Sequence, residues 1–65
     1  MKTIPFTRPV QHIEKKDNYL QTVARAYLKA NGEWHEVVVY VPDTEEAVLY
    51  IRFPDDFAFN FKEFP

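Results

Sequence analysis

Ten acidic side chains and two histidines are the residues of this 65-residue chain with the most obvious capacity for chemistry. The acids gather twice, as Asp43/Glu45/Glu46 and as Asp55/Asp56. Paired carboxylates do general acid–base work when burial drives their pKa values apart. Here each group follows a proline (Pro42, Pro54) in turn-like sequence, where acids cap and solvate rather than bury. The first group also lacks the glycine and the twelve-residue span of a calcium loop. His12 and His35 are far apart, and neither has a carboxylate or second histidine at metal-ligand spacing. His35, expected beside Phe53, reads as a packing residue.

What is missing narrows the field further. The chain contains no serine and no cysteine, which removes the two commonest nucleophile arrangements and any disulfide. Its one glycine, Gly32, cannot build a phosphate-cradling loop, whose amides need several glycines to approach the anion. No catalytic, cofactor-binding or metal-ligating residue is therefore assigned. The expectation is a non-enzymatic protein with no cofactor and no evident small-molecule substrate.

Charge is divided along the chain. Residues 1–30 hold six bases against two acids, and residues 31–65 hold two bases against eight acids, for a net charge of −2. Such halves complement each other within one fold, and the acidic whole is not a basic nucleic-acid binder. Met1 to Val10 is broken by Pro5, Arg8 and Pro9 and does not read as a signal peptide. No apolar run approaches a membrane span, so the expected location is the cytoplasm.

The aromatic residues say more. Eleven of them crowd a chain long enough for one domain only, and eight lie beyond residue 33. A core this small supplies no more than about 3–5 kcal/mol of net stability, and without a disulfide or metal staple the remaining route is association.

The elements that must position these residues follow from periodicity. Tyr19, Leu20, Val23, Ala24, Tyr27 and Leu28 form one stripe at helical spacing, which predicts a helix over residues 18–30. Asn18 and Gln21 supply a capping-box pattern, and Asn31-Gly32 a left-handed exit. A rival exists, because Asn31-Gly32 is also a type I′ hairpin turn that pairs 22–30 with 33–41. Three alanines and two leucines favour the helix.

Glu33–Val41 and Ala47–Phe53 are β-branched and aromatic and predict a hairpin. Pairing Val41 with Ala47 sets Val39 against Leu49, Val37 against Ile51 and His35 against Phe53 on one face. Tyr40 then faces Val48, Val38 faces Tyr50 and Glu36 faces Arg52 on the other. The alternation Phe57-x-Phe59-x-Phe61 predicts a third strand, with Phe59 buried against Ile51. Residues 1–16 read as an extended arm or edge strand, Thr3–Phe6 foremost, because of Pro5 and Pro9.

One domain over residues 1–65 results, an α+β fold with one helix on a three- or four-stranded antiparallel sheet whose meander occupies 33–63. The alternative, if 19–30 is strand, is a small all-β SH3-like barrel. The helix stripe covers the Val37/Val39/Ile51 face. The opposite face, with Trp34, Val38, Tyr40, Val48 and Tyr50 flanked by Glu36 and Arg52, has no assigned cover except an N-terminal arm bearing Ile4, Phe6, Val10 and Ile13. An uncovered aromatic sheet face marks a binding surface. These seven residues are the candidate partner-binding site of a small interaction or regulatory module, an inhibitor or adaptor. It either forms a homodimer or other homo-oligomer or binds a larger protein. The lesser reading is single-stranded nucleic acid stacked on the sheet tyrosines, with Lys15, Lys16, Arg25 and Lys29 supplying the cations.

Overall fold

The computed structural model describes residues 5–64. It contains a six-stranded antiparallel sheet and one short helix, so the fold is mixed α+β and dominated by its sheet. In chain order the elements are β1 (Phe6–His12), β2 (Asn18–Thr22), β3 (Ala26–Ala30), β4 (Glu33–Pro42), β5 (Tyr50–Arg52), α1 (Pro54–Asn60) and β6 (Phe61–Glu63).

Residues 18–30 are not a helix. They form β2 and β3, both antiparallel to β4. The deciding feature is the turn: Asn31 (φ 53°) and Gly32 (φ 77°) are both left-handed, as a type I′ hairpin requires. That turn sets Ala30 opposite Glu33 and carries the register through to Ala26 opposite Val37. Helix preferences of a few tenths of a kcal/mol per residue do not outweigh a strand pairing along both halves of the segment. The register then slips by two, since Gln21 opposes Tyr40 and residues 22–25 span what Val38 and Val39 span on β4. The buried Thr22 holds this bulge by accepting the Ala24 N–H through Oγ1 at 3.1 Å.

The C-terminal phenylalanines also follow a different period. Pro54–Asn60 is helical, not a third strand of a meander. Phe53, extended before a proline, is the N-cap; Pro54 fits the first turn, and Asp55 and Asp56 sit against the positive end of the helix dipole. At 3.6 residues per turn Phe57 and Phe61 share a side and Phe59 points away. Phe57 and Phe61 are accordingly buried and stacked at 4.5 Å with an interplanar angle of 5°, whereas Phe59 is 82% exposed. The expected burial of Phe59 on Ile51 is therefore corrected, and Ile51 itself is 58% exposed.

The N-terminal segment is a sheet strand in its own right. β1 pairs with β2 from Phe6 to Gln11 and with β6 from Val10 to His12, so it lies between two neighbours rather than forming a loose arm. Pro9 sits just beyond the reach of β6, where its missing N–H costs little, and its carbonyl accepts the Phe64 N–H at 3.1 Å. Thr3 and Ile4, half of the expected Thr3–Phe6 strand, fall outside the described residues.

The core is the cluster Val10, Tyr40, Phe57 and Phe61, with Tyr19 and Val38 packed on it. Phe61→Ala should cost about 3–5 kcal/mol and unfold most of the protein at room temperature, while Phe59→Ala should stay within about 0.5 kcal/mol of wild type. Urea unfolding of the two variants checks this, and equal losses would contradict the helical period of 57–61.

Candidate interaction surface

Cross-strand neighbours share a face, so the pairings divide the sheet cleanly. The inner face carries Val10 and His12 of β1, Tyr19 of β2, Val38 and Tyr40 of β4, Tyr50 and Arg52 of β5, and Phe61 of β6. The β4–β5 register is Tyr40 opposite Tyr50, Val39 opposite Ile51 and Val38 opposite Arg52. That is two residues away from the expected register and lengthens the connecting loop to 43–49. A slip of two preserves which side chains share a face but changes every partner. Glu36 therefore does not meet Arg52; it lies opposite Tyr27.

Arg52 instead ties the inner face together. Its Nε donates to Tyr40 Oη at 2.7 Å and its Nη1 to Asp56 Oδ2 at 2.9 Å, while the guanidinium lies 5.3 Å from the Phe61 ring centroid. The hydrogen bonds to Tyr40, then to Asp56, raise its pKa above the ordinary arginine value, so it stays charged. Asn60 Nδ2 donates to the backbone oxygen and Oδ1 of Asp56, locking the carboxylate that receives Arg52. Burial, followed by the Asp17 charge, raises the Tyr19 hydroxyl pKa above 10.0, as a ring inserted between Tyr40 and Phe61 should show. His12 accepts the Lys15 N–H at Nδ1 (3.1 Å) and meets Phe61 edge-on, so it is a packed and satisfied histidine.

The seven residues singled out from the sequence are thus separated. Tyr40, 4% exposed, is the centre of the core, and Val38 packs beside it. Tyr50 stacks on Tyr40 at 5.5 Å and keeps one side in solvent. Arg52 serves the inner face, Val48 is half-buried in the loop, and Glu36 is exposed. Of the five apolar and aromatic ones, Trp34, 67% exposed, is the most freely presented. The face expected to await a partner is largely the interior, covered by β1, α1 and β6. The face expected to be the core is the outside.

That outer face carries Leu28 of β3, Val37, Val39 and Val41 of β4, Ile51 of β5 and, at the ends of β5, Leu49 and Phe53. Leu28, Leu49, Ile51 and Phe53 are all exposed, and Val37 is buried beneath their side. A cleft of about 370 Å³ runs between Leu28, Val37, Ile51 and Phe53. Leu28, Ile51 and Phe53 thus present adjoining apolar surface, with Leu49 further along the same face beside Val41, and contiguous exposed apolar surface of this kind is where contact sites are found.

A second exposed group lies on the β3–β4 hairpin, on the side away from Leu28. Tyr27 and Trp34 stand on adjacent strands, with Lys29 opposite Trp34 and its Nζ 5.6 Å from the indole centroid. Arg25 lies near Tyr27 and Glu36, which raise its pKa in that order. Lys15 and Lys16, in the β1–β2 turn, are on a different element and do not join this group. Asp43 and Glu46 line an open cleft with Asp17, Asn18, Tyr19 and Tyr50, and its three carboxylates are solvent-exposed. Among the described residues no three His, Cys, Asp or Glu side chains are grouped to hold a metal ion, and no helix is long and apolar enough to cross a membrane.

The chain matches no family model, no curated protein and no solved structure. The strength of the Arg52 tie is open to measurement. Tyr40→Phe keeps the ring but removes the acceptor of a charged donor, and should cost about 1.5–3 kcal/mol in urea unfolding. A loss below about 0.5 kcal/mol would mean that Arg52 finds water instead.

Proposed function

We propose that this protein is a small non-enzymatic protein-interaction module that binds through the outer face of its sheet. The observation that carries this is the run of exposed apolar side chains on that face, with Leu28, Ile51 and Phe53 around the buried Val37 and Leu49 further along beside Val41. A folded chain gains nothing by holding four large apolar side chains in water, whereas a partner that covers them gains their transfer free energy. Phe53 and Ile51 are the anchors, replacing Tyr40 and Val38, which the core has taken. A regulatory role, as inhibitor or adaptor of a larger protein in the cytoplasm, fits an acidic 65-residue chain without cysteine. The succession β6-β1-β2-β4-β5, with a helical turn before the last strand, supports an SH3-like arrangement of the sheet as the finer form of the fold.

A photo-crosslinking residue at position 51 tests the surface directly. It should form protein adducts, with another copy or another protein, far more efficiently than the same group at position 62. Equal, background-level labelling from both sites would overturn the assignment.

One observation favours a second reading, single-stranded nucleic acid on the hairpin. Tyr27 and Trp34 are exposed and flanked by Arg25 and Lys29, which combines stacking surface with phosphate-pairing charge. Trp34 is the sole tryptophan, so its fluorescence isolates the site. Quenching by a single-stranded oligonucleotide, lost in the Arg25→Glu/Lys29→Glu variant, would support this reading. Unchanged emission at low salt would remove it.

A further inference from the structure

We propose that the partner covering the outer face is a second copy of this chain, joined by antiparallel pairing of β5 with β5 of the other copy. This rests on the outer-face reading above and names its occupant. Among the described residues β5 pairs with β4 alone, through Val38–Tyr40, so its far edge has no strand against it. Open sheet edges are ordinarily guarded by lysine, proline, bulges or inward-pointing charge. At the end of the sheet formed by β6, Lys62 and Glu63 supply such charges. Along Ala47-Val48-Leu49-Tyr50-Ile51-Arg52-Phe53 there is no such guard. Its one charge, Arg52, is turned inward onto Tyr40 and Asp56.

The composition of this segment is that of a strand throughout, yet only Tyr50–Arg52 is paired. Leu49 and Phe53, which flank it, are thus strand-prone residues without a ladder, immediately beside the open edge. A two-fold axis requires the edge to complement itself. With the axis at Ile51, Ile51 meets its own copy and Leu49 meets Phe53 on the outer face, so every pair there is apolar with apolar. On the inner face Arg52 meets Tyr50, a cation beside an aromatic ring. No like charges are brought together, as they would be were the axis at Arg52. The two outer faces then form one continuous apolar surface along a sheet that passes from copy to copy. A pairing over Leu49–Phe53 is short against the roughly 20–30 residues a side of a standard interface, so the dimer should be concentration-dependent rather than obligate.

The absence of cysteine makes a clean test possible. In sedimentation equilibrium the wild-type chain should rise with concentration toward twice its 7.8 kDa mass. Under mild oxidation Ile51→Cys should cross-link to a dimer at least tenfold faster than Phe59→Cys, although Phe59 is the more exposed position. Ile51→Lys, which adds the missing edge guard at a solvent-facing site, should remain monomeric with unchanged circular dichroism. A wild-type chain that stays monomeric at millimolar concentration overturns the inference, as does a dimer in which Ile51→Cys and Phe59→Cys cross-link equally fast. If the chain is monomeric but the photo-crosslinker at position 51 captures a different protein, the outer-face reading stands and only the self-pairing fails.

Discussion

The phenol ring of Tyr40 is the contact on which the remainder of the molecule depends. Tyr19 of β2, Tyr50 of β5, Phe57 of α1 and Phe61 of β6 all lie with ring centroids between 5.0 and 5.5 Å of it. Its hydroxyl would be an orphan in that setting, and Arg52 satisfies it at 2.7 Å. The arginine in turn needs a carboxylate, and Asp56 is positioned for it in the first turn of the helix. One buried aromatic residue therefore sets the β5 register, the start of α1 and the docking of β6. Aromatic edge and stacking geometry contributes about 0.5–1.5 kcal/mol per pair beyond area burial, which matters in a domain whose whole margin is small.

The size of the chain determines what happens at the other face. An interior of four buried core residues plus Tyr19 and Val38 is filled once the aromatic rings have entered it. The aliphatic side chains of β4 and β5 alternate with those rings, so filling the inner face with Tyr40 and Tyr50 sends Val39 and Ile51 outward. Among the described residues no second helix covers them, because α1 lies at the C-terminal end and packs inward through Phe57. The exposed apolar strip is thus the counterpart of an aromatic core in a two-sided sheet. The proposed interaction surface follows from the same alternation that builds the interior.

Much of this was legible before the structure. The strand character of Glu33–Val41 and, over its Tyr50–Arg52 part, of Ala47–Phe53 reads directly from residue types, as does the separation of the two β4 faces. The hairpin at Asn31-Gly32 was legible as well, but it competed with a helical stripe over 18–30 that local propensity alone does not reject. The turn decides only when its register is satisfied by distant partners such as Val37 and Tyr40. Phe57-x-Phe59-x-Phe61 fits both periods, alternate for a strand and i,i+4 for a helix. The signal that separates them is Pro54-Asp55-Asp56, a helix start as much as a turn. Which sheet face is inside was not legible, since both carry large apolar residues. It is decided by Val10 and Phe61, far apart in sequence, arriving on the same side.

Proton–proton nuclear Overhauser contacts within one subunit read directly whether Tyr40 faces inward and Ile51 outward. Cross-peaks are expected from the Tyr40 ring to Val10, Phe57 and Phe61, and none between the Ile51 methyls and the Phe59 ring. Ile51–Phe59 cross-peaks, with Tyr40 free of contacts to Phe61, would contradict this orientation and reverse the two faces of the sheet.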